Sequence, residues 1–474
     1  MINLKDLILA LTKERNPSLD VPISNVVIDS RQAVKGSLFV ALPGERVNGH
    51  EYIDSAFKNG ASLALVDQPL LRSFQVIDLR AGFFDPSGLK SIKLPICLRV
   101  ENTLEAVQQL ATYWRESHPV RTIGITGSVG KTSTKELTAS LLSAKYDVLK
   151  NAGNRNNEIG LPLTLLELED HHDCAVLEMG FYVPGEIKIL CDIAQPQVGV
   201  VTNIGTVHAE RAGSKEIIAL GKAELVQSLP TAPLGVAVLN MDDPLVRAMA
   251  GQTQADILTY GINKQADLMA SKIEVHGLEG ISCTLTYKDE QHEIRSPLLG
   301  EFSAYTILCA TAVALIEGLD WEMITKQLSK TSVDLRMKHY TVPFGATILD
   351  DTYNASPEST LAALRLLARL EGRRVAILGD MLELGQYEET GHTAVGKFSK
   401  QAADLMILIG ERSTFIKKAA EAEGFPGNKI HWFPNSEQAA IPAANLLSNG
   451  DVVLVKGSNS MRMDKIIKAI KERA

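Results

Sequence analysis

Short runs of apolar residues, bounded by glycine, proline and polar residues, recur along most of the chain. In the first hundred residues, runs at 26–28 and 38–42 predict strands separated by a Gly-containing turn, and ASLALVD predicts another strand. Apolar residues at helical spacing predict a helix over 102–117. The apolar run at 7–11 is flanked by charges and is too short for the core of a signal peptide, so it predicts an amphipathic helix.

From residue 121 onward, short apolar strands alternate with helices. The strand runs are TIGIT, CAVLE, VGVVTNI, RRVAILGD, DLMILIG and DVVLVKGS, each followed by a turn or a helix. This alternation predicts a parallel α/β sheet. Ser356 and Pro357 mark the start of one helix, as its cap and its first residue. We predict three domains, over 1–98, 99–331 and 332–474.

The composition is that of a soluble protein with several domains. The chain has 474 residues, and domains of ~150 residues would make roughly three. Hydrophobic residues at 45% and charged residues at 22% exclude a disordered chain. The chain has a net charge of −8, whereas nucleic-acid-binding proteins usually carry a basic surface, so nucleic-acid binding is not expected. No apolar stretch approaches the ~18 residues of a membrane span, so no membrane insertion is expected.

The number and spacing of the cysteines indicate whether the protein works in a reducing or an oxidising compartment. Five scattered cysteines without a C-x-x-C spacing indicate neither a disulfide framework nor a zinc site. Reduced thiols favour a cytoplasmic setting.

The strongest chemical signal is the sequence GITGSVGKTST, which runs from a strand through a glycine turn into a helix. Glycines allow backbone N–H groups to approach phosphate oxygens, and the helix N-terminus adds a favourable dipole. Lys131 would reach the outer phosphates, and the hydroxyl of Thr132 would bind Mg²⁺. The strict pattern G-x-x-x-x-G-K-[ST] has Ile125 in place of its first glycine, and Gly127 supplies the flexible position instead. The alternative is a chance Gly-Lys-Thr turn, but the strand–turn–helix context favours phosphate binding.

Glu178 comes directly after four apolar residues, at the end of a predicted strand. Because the carboxyl ends of parallel strands line the ligand crevice, this carboxylate is a candidate Mg²⁺ ligand, and a solvated glutamate is the alternative. His208 and Lys222 are weak signals by themselves, since such residues more often belong to a core or a helix face. The residues alone therefore predict phosphate binding and leave the reaction open.

Longer strings along the whole chain carry a family resemblance. They are IDSR at 28–31, TGSVGKTS at 126–133, GNRNNEIGLPLTLL at 153–166, NMDDP at 240–244, DDTYNASPEST at 350–360, LGDMLELGQYEETGH at 378–392 and VKGSNSMRMD at 455–464. Together with Glu178, His208 and Lys222, they resemble the Mur ligases, ATP-dependent amide-forming enzymes of peptidoglycan precursor synthesis. The strings at 350–360 and 378–392 are most similar to the family member that adds D-alanyl-D-alanine.

The resemblance implies a three-domain α/β architecture. A small mixed α/β domain at the N-terminus would bind the uridine nucleotide of a UDP-sugar substrate. A central P-loop domain with a parallel sheet would bind ATP. A C-terminal dinucleotide-binding-like (Rossmann-like) α/β domain would close on the nucleotide and on the dipeptide.

The resemblance also implies roles for individual residues. The residues expected to bind ATP are Gly127, Ser128, Gly130, Lys131, Thr132, Ser133, Arg336 and Asp351, with the last on the ribose. The ligands expected for two Mg²⁺ ions are Thr132, Glu178, His208 and Lys222, the lysine being carbamylated. The residues expected to act in catalysis are Lys131, Lys222, His208 and Arg336. Substrate contacts are expected from Ser30 and Arg31 in the uridine domain and from Asn154 and Asn157 near the central cleft.

The implied reaction joins D-alanyl-D-alanine to UDP-N-acetylmuramoyl-tripeptide through an acyl phosphate, with release of ADP and phosphate. A cytoplasmic monomer that takes part in cell-wall synthesis is expected. The chain departs from the family pattern at Phe302, Ser303 and Thr306, where relatives carry histidine and asparagines near the adenine, so no adenine contacts are carried over. Asn459 likewise replaces the arginine of a K-G-S-R segment.

Three other functions compete with this one. The nearest is another ligase of the superfamily, such as a folylpolyglutamate synthetase, and the strings at 350–360 and 378–392 argue against it. A nucleotide-switched ATPase module would hydrolyse ATP without either ligase substrate. A scaffold without catalysis would have no need for Lys131, Thr132 and the three candidate metal ligands.

Overall fold

From residue 121 onward, strands alternate with helices over most of the chain, as the sequence predicts, but residues 256–296 form four consecutive strands without an intervening α-helix. The structure is a computed structural model that describes residues 2–15, 20–44, 47–70, 74–85, 92–330 and 337–473. The predicted boundary between residues 331 and 332 and the candidate Arg336 lie outside the described residues.

The strands, in chain order, are β1 Val26–Val27, β2 Leu38–Val40, β3 Leu63–Val66, β4 Val76–Asp78, β5 Ile96–Arg99, β6 Arg121–Thr126, β7 Val148–Lys150, β8 Cys174–Glu178, β9 Val198–Val201, β10 Val236–Asn240, β11 Asp256–Gly261, β12 Leu268–Val275, β13 Ile281–Tyr287, β14 Glu290–Ser296, β15 Lys338–Thr341, β16 Thr347–Asp351, β17 Arg373–Gly379, β18 Leu405–Ile409, β19 Ile430–Phe433 and β20 Asp451–Lys456.

The helices are α1 Leu4–Thr12, α2 Ile53–Lys58, α3 Thr103–Glu116, α4 Lys131–Leu142, α5 Gly160–Leu165, α6 Glu186–Ala194, α7 Ala209–Ala212, α8 Lys215–Gln227, α9 Pro244–Arg247, α10 Ser303–Ile316, α11 Trp321–Lys330, α12 Pro357–Leu367, α13 Glu388–Ala402, α14 Ser413–Ala422, α15 Ser436–Asn445 and α16 Asp464–Glu472. No helix in the described parts of the chain is long and apolar enough to cross a membrane.

The chain divides into two compact units, and the first contains a parallel sheet close to the N-terminus. This unit comprises Met1–Ile123, Tyr146–Gly180 and Lys188–Pro196. Its sheet has the strand order β1-β2-β3-β5-β4, with every neighbouring pair parallel. Strands β7 and β8 form a further parallel pair. Helix α3 is the predicted helix over 102–117, and Asn102 caps it by accepting from the N–H groups of Leu104 and Glu105.

The second unit comprises Gly124–Lys145, Phe181–Ile187 and Gln197–Ala474. Strands β9 to β12 run parallel in sequential order, and β13 and β14 continue as antiparallel neighbours. A six-stranded sheet has the order β15-β16-β20-β17-β18-β19, in which β15 alone runs antiparallel to its neighbour. The predicted α/β class with mainly parallel sheets is confirmed in both units.

Both faces of the six-stranded sheet are buried. Leu349, Leu378 and Leu454 belong to one apolar cluster, and the residues immediately before them belong to the cluster on the other face. Successive side chains of a strand point to opposite faces, so strands covered by helices on both sides need continuous apolar runs. This explains why RRVAILGD, DLMILIG and DVVLVKGS lack polar alternation.

Candidate active site

The glycine turn after β6, named the phosphate loop after its predicted role, has a backbone that depends on two glycines. Gly127 has φ +145° and Gly130 has φ +88°, values that side chains rarely allow. A Cβ atom on Gly127 would lie 1.8 Å from Oγ1 of Thr202. Gly130 precedes α4 and brings no side chain to cap its N-terminus. The turn therefore combines close backbone approach with a helix N-terminus, the combination that binds phosphate.

Residues after β9 support this loop from one side. Asn203 accepts from the N–H of Val129 at 2.9 Å and donates from Nδ2 to the carbonyl of Val129 at 2.8 Å. Thr202 donates to the same carbonyl at 2.8 Å, and Ser128 accepts from the N–H of Gly205 at 2.8 Å. Sequence reasoning missed Thr202 and Asn203. The only available signal was a polar TN pair directly after a buried strand.

Lys131 begins α4 and folds back over the loop. Its Nζ donates to the carbonyl of Gly127 at 2.8 Å and to that of Ser128 at 3.3 Å. The ammonium therefore lies at the mouth of the glycine turn. Thr132 and Ser133 follow in the first helical turn, half-buried.

His208 lies in the same unit as the loop and is largely buried. It precedes α7 with a left-handed φ of +67°. Burial, together with the positive charges of Lys131, Lys222 and Arg211, lowers the pKa of His208 from 6.5 to about 3. A lowered pKa favours the neutral imidazole, which retains a lone pair on one nitrogen.

Lys222 is almost completely buried on α8, with 2% of its surface exposed. Its Nζ lies 4.8 Å from the centre of the Phe181 ring. The neighbouring Gly221 allows this ring to approach, since a Cβ atom there would lie 1.9 Å from Cε2 of Phe181. The packing of Phe181 against this helix therefore buries the Lys222 amine, whereas an ordinary lysine on a helix face is solvated.

Replacing Gly221 tests that packing. Gly221→Ala should lower the free energy of unfolding by about 1–3 kcal/mol, because the new methyl group forces the Phe181 ring out of its place. The free energy of unfolding would be measured by chemical denaturation. Gly251→Ala is the matched control, since a Cβ atom there meets nothing within 4 Å. Equal stability of the two variants would contradict the packing argument.

Glu178 belongs to the first unit and is buried, with 1% of its surface exposed. Its Oε1 accepts from Nδ2 of Asn156 at 2.8 Å. Asn151 binds the backbone of Glu178 on both sides, accepting from its N–H and donating to its carbonyl at 2.9 Å each. The carboxylate is therefore held in one orientation, unlike a solvated glutamate at a strand end. Sequence analysis did not single out Asn151 or Asn156.

Asp351 ends β16 and is paired with Lys456, its register partner on β20. Nζ of Lys456 lies 2.6 Å from Oδ2 of Asp351 and donates to the carbonyl of Asn354 at 2.8 Å. Both charged groups are buried, which is tolerated because they neutralise one another. The expected contact of Asp351 with a ribose stays a prediction.

The four candidate substrate residues all lie in the first unit. Ser30 is buried, and its carbonyl accepts from Nδ2 of Asn59. Arg31 is exposed and forms a forked pair with Asp29, whose pKa it lowers to about 2. Asn157 accepts from the N–H of Gly160 at the start of α5, and Asn154 is exposed.

Phe302, one of the residues that depart from the family pattern, lies close to the phosphate loop. A Cβ atom on Gly130 would have Cε1 of Phe302 as its nearest neighbour, at 3.9 Å. The Phe302 and Tyr305 rings are 5.5 Å apart, and the Tyr305 hydroxyl donates to Asp242 at 2.9 Å. Asp242 also accepts from the N–H groups of Ile262 and Lys264. An aromatic pair thus lies at the start of α10.

Mg²⁺ prefers oxygen ligands. The Thr132 hydroxyl and the Glu178 carboxylate carry oxygen, and a carbamate on Lys222 would carry it as well, whereas His208 offers nitrogen. Within the described ranges, no group of three or more His, Cys, Asp or Glu side chains is clustered as a metal site. The predicted ligands do not require such a group, because only two of the four belong to these residue types.

Family models match the chain in three successive segments. The model of the Mur ligase family catalytic domain matches residues 22–114. The Mur ligase middle domain matches residues 125–314, and the Mur ligase glutamate ligase domain matches residues 335–459.

Curated relatives match this chain over nearly the whole length of both proteins. The UDP-N-acetylmuramoyl-tripeptide–D-alanyl-D-alanine ligase of Synechocystis is 36% identical over 464 residues, which cover 95% of this chain and 93% of the relative. The ligase of the same description from Escherichia coli is 32% identical and covers 96% and 95%.

Solved structures share the three-domain fold. MurF from Acinetobacter baumannii has a TM-score of 0.84 at 28% identity and covers 99% of this chain and 98% of its own. MurF from Thermotoga maritima in complex with ADP has a TM-score of 0.78 at 27% identity, with 94% and 97% covered. A folylpolyglutamate synthase of Mycobacterium tuberculosis shares the fold alone, with a TM-score of 0.60 at 17% identity over 78% of this chain.

Proposed function

The chain belongs to the Mur ligase family of ATP-dependent ligases, and we propose that it joins D-alanyl-D-alanine to UDP-N-acetylmuramoyl-tripeptide. The products would be UDP-N-acetylmuramoyl-pentapeptide, ADP and phosphate. One observation carries the proposal: the 36% identity to a ligase of that specificity extends over 95% of the chain. Folylpolyglutamate synthases are more distant, since they resemble only the fold.

The phosphate loop would bind the ATP phosphates through the backbone of Gly127–Gly130 and through Lys131, Thr132 and Ser133. Phosphoryl transfer relies mainly on positioning and charge neutralisation. The tripeptide carboxylate would attack the γ-phosphate and release ADP, and the dipeptide amine would then displace phosphate from the resulting acyl phosphate and lose a proton. Lys131, at the mouth of the turn, is placed to neutralise charge on the transferred group. Arg336 and Asp351 are proposed to contact the phosphates and the ribose.

Two Mg²⁺ ions, when bound, would neutralise the phosphate oxygens and orient them for transfer. Thr132, Glu178, His208 and Lys222 are proposed as their ligands, with Lys222 converted to a carbamate. This proposal is supported by the fixed carboxylate of Glu178 and the burial of Lys222. A carbamate would replace a buried cation by an anion that can bind metal.

The four candidate substrate residues are proposed to contact different parts of the UDP-linked substrate. Ser30 and Arg31 are proposed to contact the uridine nucleotide, and Asn154 and Asn157 the rest of the UDP-linked substrate. We further propose domain boundaries near 98 and 332, a monomeric enzyme and a cytoplasmic location, where nucleotide-linked cell-wall precursors would be made.

An omission assay tests the proposed reaction. Phosphate release should require ATP, UDP-N-acetylmuramoyl-tripeptide and D-alanyl-D-alanine together and fall to background when either acceptor or donor is omitted, because a ligase couples ATP cleavage to bond formation. The measurement is coupled phosphate detection with mass spectrometry of the pentapeptide product. Tripeptides with diaminopimelate or lysine at the third position would be compared.

The same assay separates the rival functions. ATP hydrolysis that continues without either substrate would identify a nucleotide-switched ATPase and contradict the proposal. Turnover with a folate and glutamate, but not with the muramoyl substrate, would identify a folylpolyglutamate synthetase.

A further inference from the structure

Two loops of the second unit meet through a set of close contacts. One is the segment 205–213, which follows β9, and the other is the segment 381–387, which follows β17. The N–H of Glu210 donates to the carbonyl of Glu383 at 3.1 Å, and Nε2 of Gln386 donates to the carbonyl of Gly213 at 2.9 Å. A Cβ atom on Gly385 would lie 2.9 Å from Cα of Glu210. The contact therefore requires a glycine and is closely fitted.

At the centre of this contact, the Glu383 carboxylate meets the His208 ring. Oε2 of Glu383 and Nδ1 of His208 are 2.5 Å apart. Because an ionised carboxylate can only accept, Nδ1 carries the proton and donates it in this hydrogen bond, and the lone pair of a neutral ring then lies on Nε2. The Tyr182 ring packs edge-on against the imidazole, with ring centres 4.6 Å apart, and limits its rotation. The hydrogen bond thus selects one tautomer and one ring orientation.

Both partners have an unusual backbone conformation. His208 has φ +67° and Glu383 has φ +63°, in the left-handed region that residues other than glycine seldom adopt. Such conformations persist where the surroundings enforce them, and they cluster at functional sites.

Hydrogen bonds to two other parts of the chain hold the backbone next to Glu383 in place. The N–H of Met381 donates to Nε2 of the buried His392 at 3.0 Å. The N–H of Leu382 donates to Oγ of Ser458 at 2.8 Å. The carboxylate is therefore presented to His208 by an anchored loop and not by a mobile one.

We infer that Glu383 is a positioning residue, which holds His208 in the Nδ1-protonated tautomer so that Nε2 can bind a divalent cation. Carboxylates that accept from a metal-binding histidine fix its tautomer and raise its basicity, and their loss weakens metal binding by about 10–100-fold. This inference rests on the proposed function, in which His208 is a metal ligand.

The arrangement also connects the metal ligand to the C-terminal domain. His208 lies in the segment matched by the middle-domain model, and Glu383 lies in the segment matched by the C-terminal model. The tautomer is therefore selected only while the two segments are in contact. Thr206 strengthens that contact, because its N–H and its hydroxyl both donate to Oε1 of Glu358, at 3.1 Å and 3.2 Å.

Nitrogen-15 NMR of histidine-labelled protein tests the inference without catalysis. His208→Asn identifies the His208 signals. In the wild type they should show a protonated Nδ1, and in Glu383→Ala the population should shift toward protonated Nε2. Glu383→Gln keeps an acceptor oxygen without the charge and should retain the wild-type tautomer. Gln386→Ala removes another bond between the same segments, and it should leave the tautomer unchanged.

Binding of Mn²⁺ in the presence of ADP, followed by electron paramagnetic resonance, gives the second measurement. The Mn²⁺ affinity should fall about 10–100-fold in Glu383→Ala and change only a few-fold in Glu383→Gln and Gln386→Ala. An unchanged tautomer or an unchanged Mn²⁺ affinity in folded Glu383→Ala would overturn the inference.

The omission assay keeps the two proposals apart. If the wild type ligates and Glu383→Ala binds Mn²⁺ normally, the positioning role fails and the proposed function stands. If the wild type does not join the two substrates while Glu383→Ala changes the His208 tautomer, the proposed function fails and the positioning role stands.

Discussion

Lys131→Ala should reduce substrate-dependent phosphate release by about a hundredfold to a thousandfold, the range found when one preorganised donor to a transition-state charge is removed. The Lys131 ammonium lies 2.8 Å from the carbonyl of Gly127, at the mouth of the glycine turn. It is therefore within reach of phosphate oxygens bound by the loop. Removing it leaves the transferred phosphoryl group with less positive charge around it.

The measurement is the omission assay at saturating substrates, together with nucleotide affinity measured by calorimetry. Lys326→Ala is a suitable control, because Lys326 is an exposed lysine on α11 in the same unit. Circular dichroism would establish that both variants are folded. Turnover of Lys131→Ala within a few-fold of the wild type would remove the glycine turn from the nucleotide site.

The structural basis of this prediction was accessible from sequence because its signals are local. The strand, the glycines and the helix of the phosphate loop follow one another within eleven residues. Helix α12 likewise begins at Pro357 with Ser356 as its cap, as predicted, because capping and first-turn preferences act within a few residues. Parallel strands buried on both faces produce continuous apolar runs, which identified the α/β class.

Contacts between distant parts of the chain could not be predicted in the same way. Asn203 supports the loop from 74 residues away, and Glu383 reaches His208 across 175 residues. Such pairs depend on which strands are neighbours, and no local pattern specifies that order. The family resemblance pointed to His208 but not to the carboxylate that orients it.

Burial decided the interpretation of two candidates that sequence left open. Glu178 was equally compatible with a solvated strand end, and Lys222 with a helix-face charge. The structure buries both side chains, at 1% and 2% exposure. Burying a charged group is costly unless it is paired or binds a ligand, so these positions are unlike surface residues. The roles themselves stay proposals.

Lys222→Ala should lower ligase activity by about a hundredfold or more, because it removes the proposed carbamate and with it a metal-binding anion near the transferred phosphate. Short carboxylic acids such as acetate or formate should partly restore the activity of this variant. Removal of the side chain leaves space beside Phe181, and a small carboxylate there carries the same charge as the carbamate. The measurement is phosphate release as a function of acid concentration, with chloride as the ionic-strength control.

Two further variants separate a carbamate from a simple cation. Lys222→Arg keeps the positive charge but cannot form the carbamate, so it should be as impaired as Lys222→Ala and should not respond to acetate. Lys215→Ala removes a lysine from the first turn of the same helix and should retain wild-type activity.

Wild-type enzyme prepared in buffer free of carbon dioxide should lose activity and regain it with bicarbonate. Full activity of Lys222→Arg would show that charge alone suffices, and it would exclude the carbamate.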